Sequence, residues 1–214
     1  MSVIAFDGVC LGDGPPTGVG RSFLNGLRAY AQRGGADCVL LAPEGAAVEP
    51  IEGVRRVDAP LGRLRRQRHL PRLLRDLGAD LLHSSVAAVP LRAPCPTIAT
   101  AHDFPWLHRE LGEPASWWRR FATARALRSA ARVLAPSTMT LRDARRLLGP
   151  RARRAELVPH GVPAAQDRPL DEAQRTGPLL VLGDDRPRKN RARVAAAYEP
   201  VSYTHLTLPT ILLV

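Results

Sequence analysis

Short apolar runs alternate with longer amphipathic segments along most of this chain, and that alternation restricts the fold more than any other feature. "VIAF" (3–6), "DCVLLA" (37–42), "VRRVDA" (54–59), "DLLHSS" (80–85), "PTIATAHD" (96–103), "RVLAPS" (132–137) and "AELVPHG" (155–161) read as strands. "GRSFLNGLRAYAQRGG" (20–35), "ASWWRRFATARALRSA" (115–130) and "STMTLRDARRLLG" (137–149) read as helices; the last opens on a serine cap and stops at glycine. Strands separated by helices cannot form hairpins. They pair in parallel through helical crossovers, which predicts an α/β fold: a Rossmann-like, doubly wound parallel sheet. Ligands of such sheets bind beyond the carboxyl ends of the strands. The polar residues there are "GDGPPTGVG" (12–20), "HSS" (83–85), "AHD" (101–103), "PS" (136–137) and "PHG" (159–161).

The texture changes after Gly161. "VPAAQDRPLDEAQRTG" is polar, proline-bearing and aperiodic, as a linker is, and "PLLVLGDDRPRKNRARVAAAYE" (178–199) reads as a new strand, loop and helix start. The expected organisation is a first domain over 1–162, a linker over 163–177 and the start of a second α/β domain over 178–200. The ending, "VSYTHLTLPTILLV", is foreign in composition to the text before it. Two readings stand: a hydrophobic strand pair, or a non-native tail over 201–214. We favour the second, because "VSYTHLTLPT" resembles one reading frame of an adapter used in transposase-based library preparation, as in a truncated metagenomic sequence.

Of the 214 residues 45% are hydrophobic, enough for a sizeable core, and no apolar run reaches the roughly 18 residues of a membrane span. Cys10, Cys38 and Cys95 are scattered and odd in number, which suits reduced thiols in a cytoplasmic protein. The net charge of +11 comes from thirty arginines and one lysine against 20 acids, in a chain also rich in alanine and proline. Part of that excess reads as GC-rich coding bias. With aromatics at 5% and no nucleic-acid-binding motif, no nucleic-acid partner is expected. The segment "LGRLRRQRHLPRLLRDLG" (61–78) interleaves six arginines with leucines. It reads as a solvated helix face or as a peripheral contact with an anionic membrane surface at the inner face of the membrane.

Two constellations carry chemistry. Gly18 and Gly20 stand between the first strand and its helix, where a backbone can approach a ligand and a helix N-terminus favours an anion. The third glycine of the dinucleotide fingerprint is missing, and no GK[ST] follows, so this is not a P-loop. His102 and Asp103 sit at a strand's carboxyl end. His83 and His108 lack the cysteine or carboxylate spacing that would make a metal set with His102.

The ordered run "TGVGR", "ADLLHSS", "TIATAHD", "RVLAPS", "ELVPHGV" and "PLLVLGDDRPRKN" resembles the retaining, nucleotide-sugar-dependent GT-B glycosyltransferases of family 4. It is closest in flavour to their mannosyltransferase-like branch, whose second domain opens with "GT-x-x-PRKN". The resemblance covers residues 1–199 and implies a hexosyltransferase of cell-envelope or exopolysaccharide synthesis. It would use a nucleotide sugar, a glycan or lipid-linked acceptor, and neither cofactor nor metal. It implies that Gly18 and Gly20 border the donor diphosphate and that His102 approaches the donor sugar. Ser137 would close a strand end at the cleft, with Asp103 and His83 as further crevice residues. Arg188 and Lys189, or Arg186, would hold the diphosphate from the second domain. The family's arginine after the second-domain glycine is here Asp184. The acidic motif that contacts the donor lies outside these residues, so the fragment alone is expected to be inactive. A compact ammonium that can follow one developing oxygen charge explains a lone lysine at that position in an arginine-biased chain. Two other readings stay open: a sugar-nucleotide or anion-binding module without turnover, and a basic nucleic-acid-binding protein.

Overall fold

The computed structural model of the chain describes residues 2–60, 63–161, 180–181, 189–202 and 212–213. Seven strands form one all-parallel sheet: β1 (Ser2–Asp7), β2 (Ala36–Pro43), β3 (Val54–Ala59), β4 (Leu81–Ser84), β5 (Thr97–Thr100), β6 (Arg132–Ala135) and β7 (Ala155–Leu157). Their order is β3-β2-β1-β4-β5-β6-β7. Four helices accompany them: α1 (Gly18–Arg33), α2 (Arg63–Asp76), α3 (Trp117–Ser129) and α4 (Thr138–Leu148). This is the doubly wound α/β fold that the alternation predicts. The central strands are apolar on both faces because both are covered: β2 is buried continuously from Cys38 to Pro43, without alternation.

Two cores flank the sheet. On one face Ile4, Phe6, Leu40 and Cys38 pack with Phe23, Leu24 and Leu27 of α1. On the other, Ala5, Val39, Leu41 and Leu82 pack with Leu70 and Leu74 of α2. Adjacent residues of β1 thus serve opposite cores, as the period of two requires. The local signals act where they stand. Thr17 caps α1 by accepting from the Gly20 amide at 3.4 Å, and Ser116 and Ser137 cap α3 and α4 in the same way. Gly149 ends α4 with a φ of 58° that favours glycine.

The chain divides into two compact units, residues 1–104 with 116–161, and residues 105–115 with 162–214. The first contains the whole seven-stranded sheet. In the second, short 3₁₀ turns run over Pro105–Leu107 and Arg109–Leu111, β8 (Leu180–Val181) pairs in parallel with β9 (Leu212–Leu213), and α5 spans Arg191–Ser202. Two residues of the tail read as non-native therefore pair with the strand of the second unit, and α5 runs two residues into that tail. Among the described residues no helix is long and apolar enough to cross a membrane.

Candidate functional site

Every strand of the sheet points the same way, so all their carboxyl ends open on one edge. The chain reverses its winding between β1 and β4: β1 leads outward to β2 and β3, and β4 leads the other way. At such a reversal the loops part and leave a crevice. The loop after β1, the start of α1, Ser85 after β4 and His102 after β5 stand at this edge.

The loop after β1 turns at once because Gly8 follows Asp7. A Cβ on Gly8 would lie 2.7 Å from Leu11 Cδ1 and 3.3 Å from the Leu41 carbonyl oxygen, so a side chain there would force Leu11 to move and crowd the backbone of β2. Gly20 is similarly enclosed, with Pro16 Cβ and Leu11 Cδ2 at 3.2 and 3.3 Å from its would-be Cβ. Gly18 differs. Nothing lies within 4 Å of its would-be Cβ, so packing does not demand glycine there. It is the first residue of α1, and the open space beside it lies at the end of the helix that favours an anion.

His102 is held from three sides. Its Nε2 donates to the Ser85 carbonyl at 2.9 Å, which in the neutral ring leaves the lone pair on Nδ1. Its own carbonyl accepts from Thr140 Oγ1 at 2.9 Å. Its ring stacks on His160, with centroids 5.3 Å apart and planes 30° from parallel. His160 in turn meets Ser22 of α1, Nδ1 to Oγ, at 2.7 Å. Three segments far apart in sequence therefore converge: the first turns of α1, the end of β5 and the loop after β7. Burial, and then the charge of His102, push the His160 imidazole below its ordinary value.

Beneath this layer lies a buried ion pair. Asp7, fully buried at the end of β1, meets Arg66 Nη2 of α2. Burial raises the Asp7 carboxyl above its ordinary value against the opposing pull of Arg66. The Asp7 carbonyl accepts from the Ser85 amide at 3.0 Å, and Ser85 carries the carbonyl that holds His102. The end of β1 thus supports His102 through one residue.

The residues singled out from sequence fall in different places. Gly18, Gly20 and His102 come together. Ser137 caps α4, accepting from the Thr140 amide at 3.1 Å and donating to Thr140 Oγ1 at 3.0 Å, so it acts on His102 only through Thr140. Asp103 is exposed beside His102. His83 is held apart from the crevice: its ring packs against Phe6 and Phe23 on the α1 side, and Nε2 meets Thr100 Oγ1 at 3.0 Å. Desolvation lowers its pKa to about 4. Lys189 is exposed in the second unit, while Arg186 and Arg188 lie outside the described residues. His160, Ser22, Asp7 and Arg66 were missed as individual residues. The "PHG" at a strand end was the available sign of His160, and an aspartate closing an otherwise apolar first strand was the sign of Asp7.

Comparison with known proteins agrees with this fold. Among solved structures, UGT73P12 of Glycyrrhiza uralensis, complexed with glycyrrhetinic acid 3-O-monoglucuronide, superposes with a TM-score of 0.50 at 10% identity. The match takes in 75% of this chain but 48% of that one, so the chain spans about half of that GT-B structure. No curated protein matches. The sequence signature of Glycosyltransferase Family 4 matches residues 16–166, which begins at the loop before α1 and takes in Gly18, Gly20, His102 and His160. With more than half its length under that signature and the fold of a GT-B half, the chain belongs to glycosyltransferase family 4.

Proposed function

We propose that the chain is the N-terminal, acceptor-side part of a retaining hexosyltransferase that moves a sugar from a nucleotide sugar to a glycan or lipid-linked acceptor in the cytoplasm. The observation that carries this reading is the convergence of His102, His160 and the opening turns of α1 at the reversal point of the sheet. Glycosyl transfer needs two things from such an edge. One is a set of donors near the sugar whose bond breaks. The other is positive potential for the departing diphosphate. The first turn of α1 offers amide groups and the positive end of a helix dipole beside Gly18, where no side chain intrudes. His102 is fixed through Nε2 and by the stack on His160, and on this reading its Nδ1 lone pair is the group left to act on the bound sugar. The second cationic contribution would come from Lys189, with Arg186 or Arg188, in the second unit. On this reading arginine and lysine neutralise the diphosphate, and no metal takes part.

The test uses the enzyme completed with its C-terminal half, assayed for release of nucleoside diphosphate. His102→Ala is expected to lower turnover roughly a hundredfold, the order of loss when one preorganised polar group is removed from the reacting centre, with its melting temperature held. A variant that unfolds instead would make His102 a residue of the core. Lys189→Ala is expected to weaken the nucleoside diphosphate product more than the bare nucleoside, and Lys189→Arg to recover only part of the loss. Equal losses for both ligands would remove Lys189 from the phosphate site. Nucleotide-sugar binding without turnover in the completed enzyme would favour the non-catalytic module.

A further inference from the structure

Helix α3 carries an aromatic surface that the sheet does not use. Trp117, Trp118 and Phe121 are 75%, 57% and 56% exposed. They touch one another: the two indoles meet edge to face at 5.7 Å, and Trp118 stacks on Phe121 at 5.8 Å. At about 100° per residue the three share one flank of the helix, roughly opposite Ala126 and Leu127, which are buried. Together they leave on the order of 400 Å² of contiguous apolar surface in water, as much as the largest patch on many monomeric proteins.

The surroundings of this patch are basic. The helix, "WWRRFATARALRS", has four arginines and no carboxylate. Arg120, Arg125 and Arg128 are exposed and border or continue the aromatic flank. Its location follows from the crossover. The Ala131 amide donates to the Thr97 carbonyl at 2.8 Å, which pins the C-terminal end of α3 at the start of β5. The first turn of α3 therefore lies toward the carboxyl edge of the sheet, the edge that holds His102.

We propose that the Trp117, Trp118 and Phe121 flank of α3 is a docking surface for an anionic lipid bilayer. Indole and phenyl rings settle at the level of lipid headgroups, and arginines beside them meet the phosphates. A second copy of the chain fits the surface poorly, because a symmetric contact would set these arginines against their own copies. Helix α2, the other basic segment, lacks such an insertable face: Leu70 and Leu74 lie in the core and Arg66 is paired with Asp7. Docking through α3 holds the carboxyl edge toward the bilayer. The proposal goes beyond the transfer reading and does not depend on it, since its test reads lipid association and no turnover.

Two of the three tryptophans of the chain lie in the patch, and the third, Trp106, is buried, so intrinsic fluorescence reports on it directly. The 214-residue chain is mixed with vesicles of phosphatidylcholine alone, or of phosphatidylcholine and phosphatidylglycerol in equal parts. Emission is expected to shift to the blue, and the protein to sediment, with the anionic vesicles and far less with the neutral ones. Replacing Trp117, Trp118 and Phe121 together by serine is expected to lower vesicle partition roughly tenfold or more, because exposed rings contribute insertion and not folding. Undiminished binding in that variant, or binding lost only when Arg65, Arg68 and Arg72 of α2 become glutamine, would overturn the proposal. A dimer abolished by the same serine substitutions, or a shift that disappears in the enzyme completed with its C-terminal half, would also overturn it, by showing protein on the patch.

Discussion

Replacing Asp7 by alanine isolates the deepest support of the site. The Asp7 side chain is 0% exposed and that of Arg66 10%, so removing the carboxylate leaves a guanidinium buried without its counter-charge. Stranding one member of a buried pair costs about 3–5 kcal/mol. In a unit of this size that lowers the melting temperature by roughly 10 °C. The pair is imperfectly satisfied, since Asp7 Oδ1 and Arg66 Nη1 are buried with no hydrogen-bond partner among the described residues. An apolar replacement of both, Asp7→Val with Arg66→Met, is therefore expected to cost less than Asp7→Ala alone. Arg66→Met behaves differently again. Its stranded carboxyl can take up a proton, and loss of Arg66 removes the influence that opposes burial, so the folded pKa rises further above the ordinary value of 3.8. Between those two values the unfolded chain is the more ionised. The variant is then closest to the parent near the ordinary carboxylate pKa and loses stability as pH rises. Urea unfolding followed by circular dichroism across that range measures all three variants. A cost below about 1 kcal/mol for Asp7→Ala, or a pH-independent cost for Arg66→Met, would refute the reasoning.

His83, with a pKa lowered to about 4 by burial, stays neutral in the fold while it charges near 6.5 in the unfolded chain. Stability should therefore fall by about 3 kcal/mol as pH drops from 6.5 to 4, and His83→Gln should remove that part of the slope in urea titrations. Gly18→Ala, at an open helix position, should stabilise the protein by about 0.5 kcal/mol while weakening nucleotide-sugar binding in the completed enzyme. Gly20→Ala should cost about 1 kcal/mol, because Pro16 and Leu11 lie closer than ordinary contact. Calorimetry on the two variants separates them, and identical behaviour would remove the distinction between a packing glycine and a binding glycine.

The alternation of apolar and amphipathic runs determined the elements and their parallel pairing, because the period of each segment states locally which face it must bury. The seven sheet strands fall within a few residues of their expected places, as do α1, α3 and α4. His102 and the turn at Gly18 and Gly20 were legible for the same reason: the ends of parallel strands share one edge. Strand order was not legible, since no local signal says that β4 lies beside β1 and not beyond β3. That order decides which side chains meet. It joins His102 to His160 and Ser22, and Asp7 to Arg66, across separations of 138 and 59 residues for Ser22–His160 and Asp7–Arg66. It also turns His83 between two phenylalanines and away from the crevice, because its position in β4 faces the α1 core. Only the tertiary packing shows that Leu70 and Leu74 of α2 are buried while the aromatics of α3 remain in water. A sequence states how apolar a helix is, but the neighbouring strands decide which of its residues they cover.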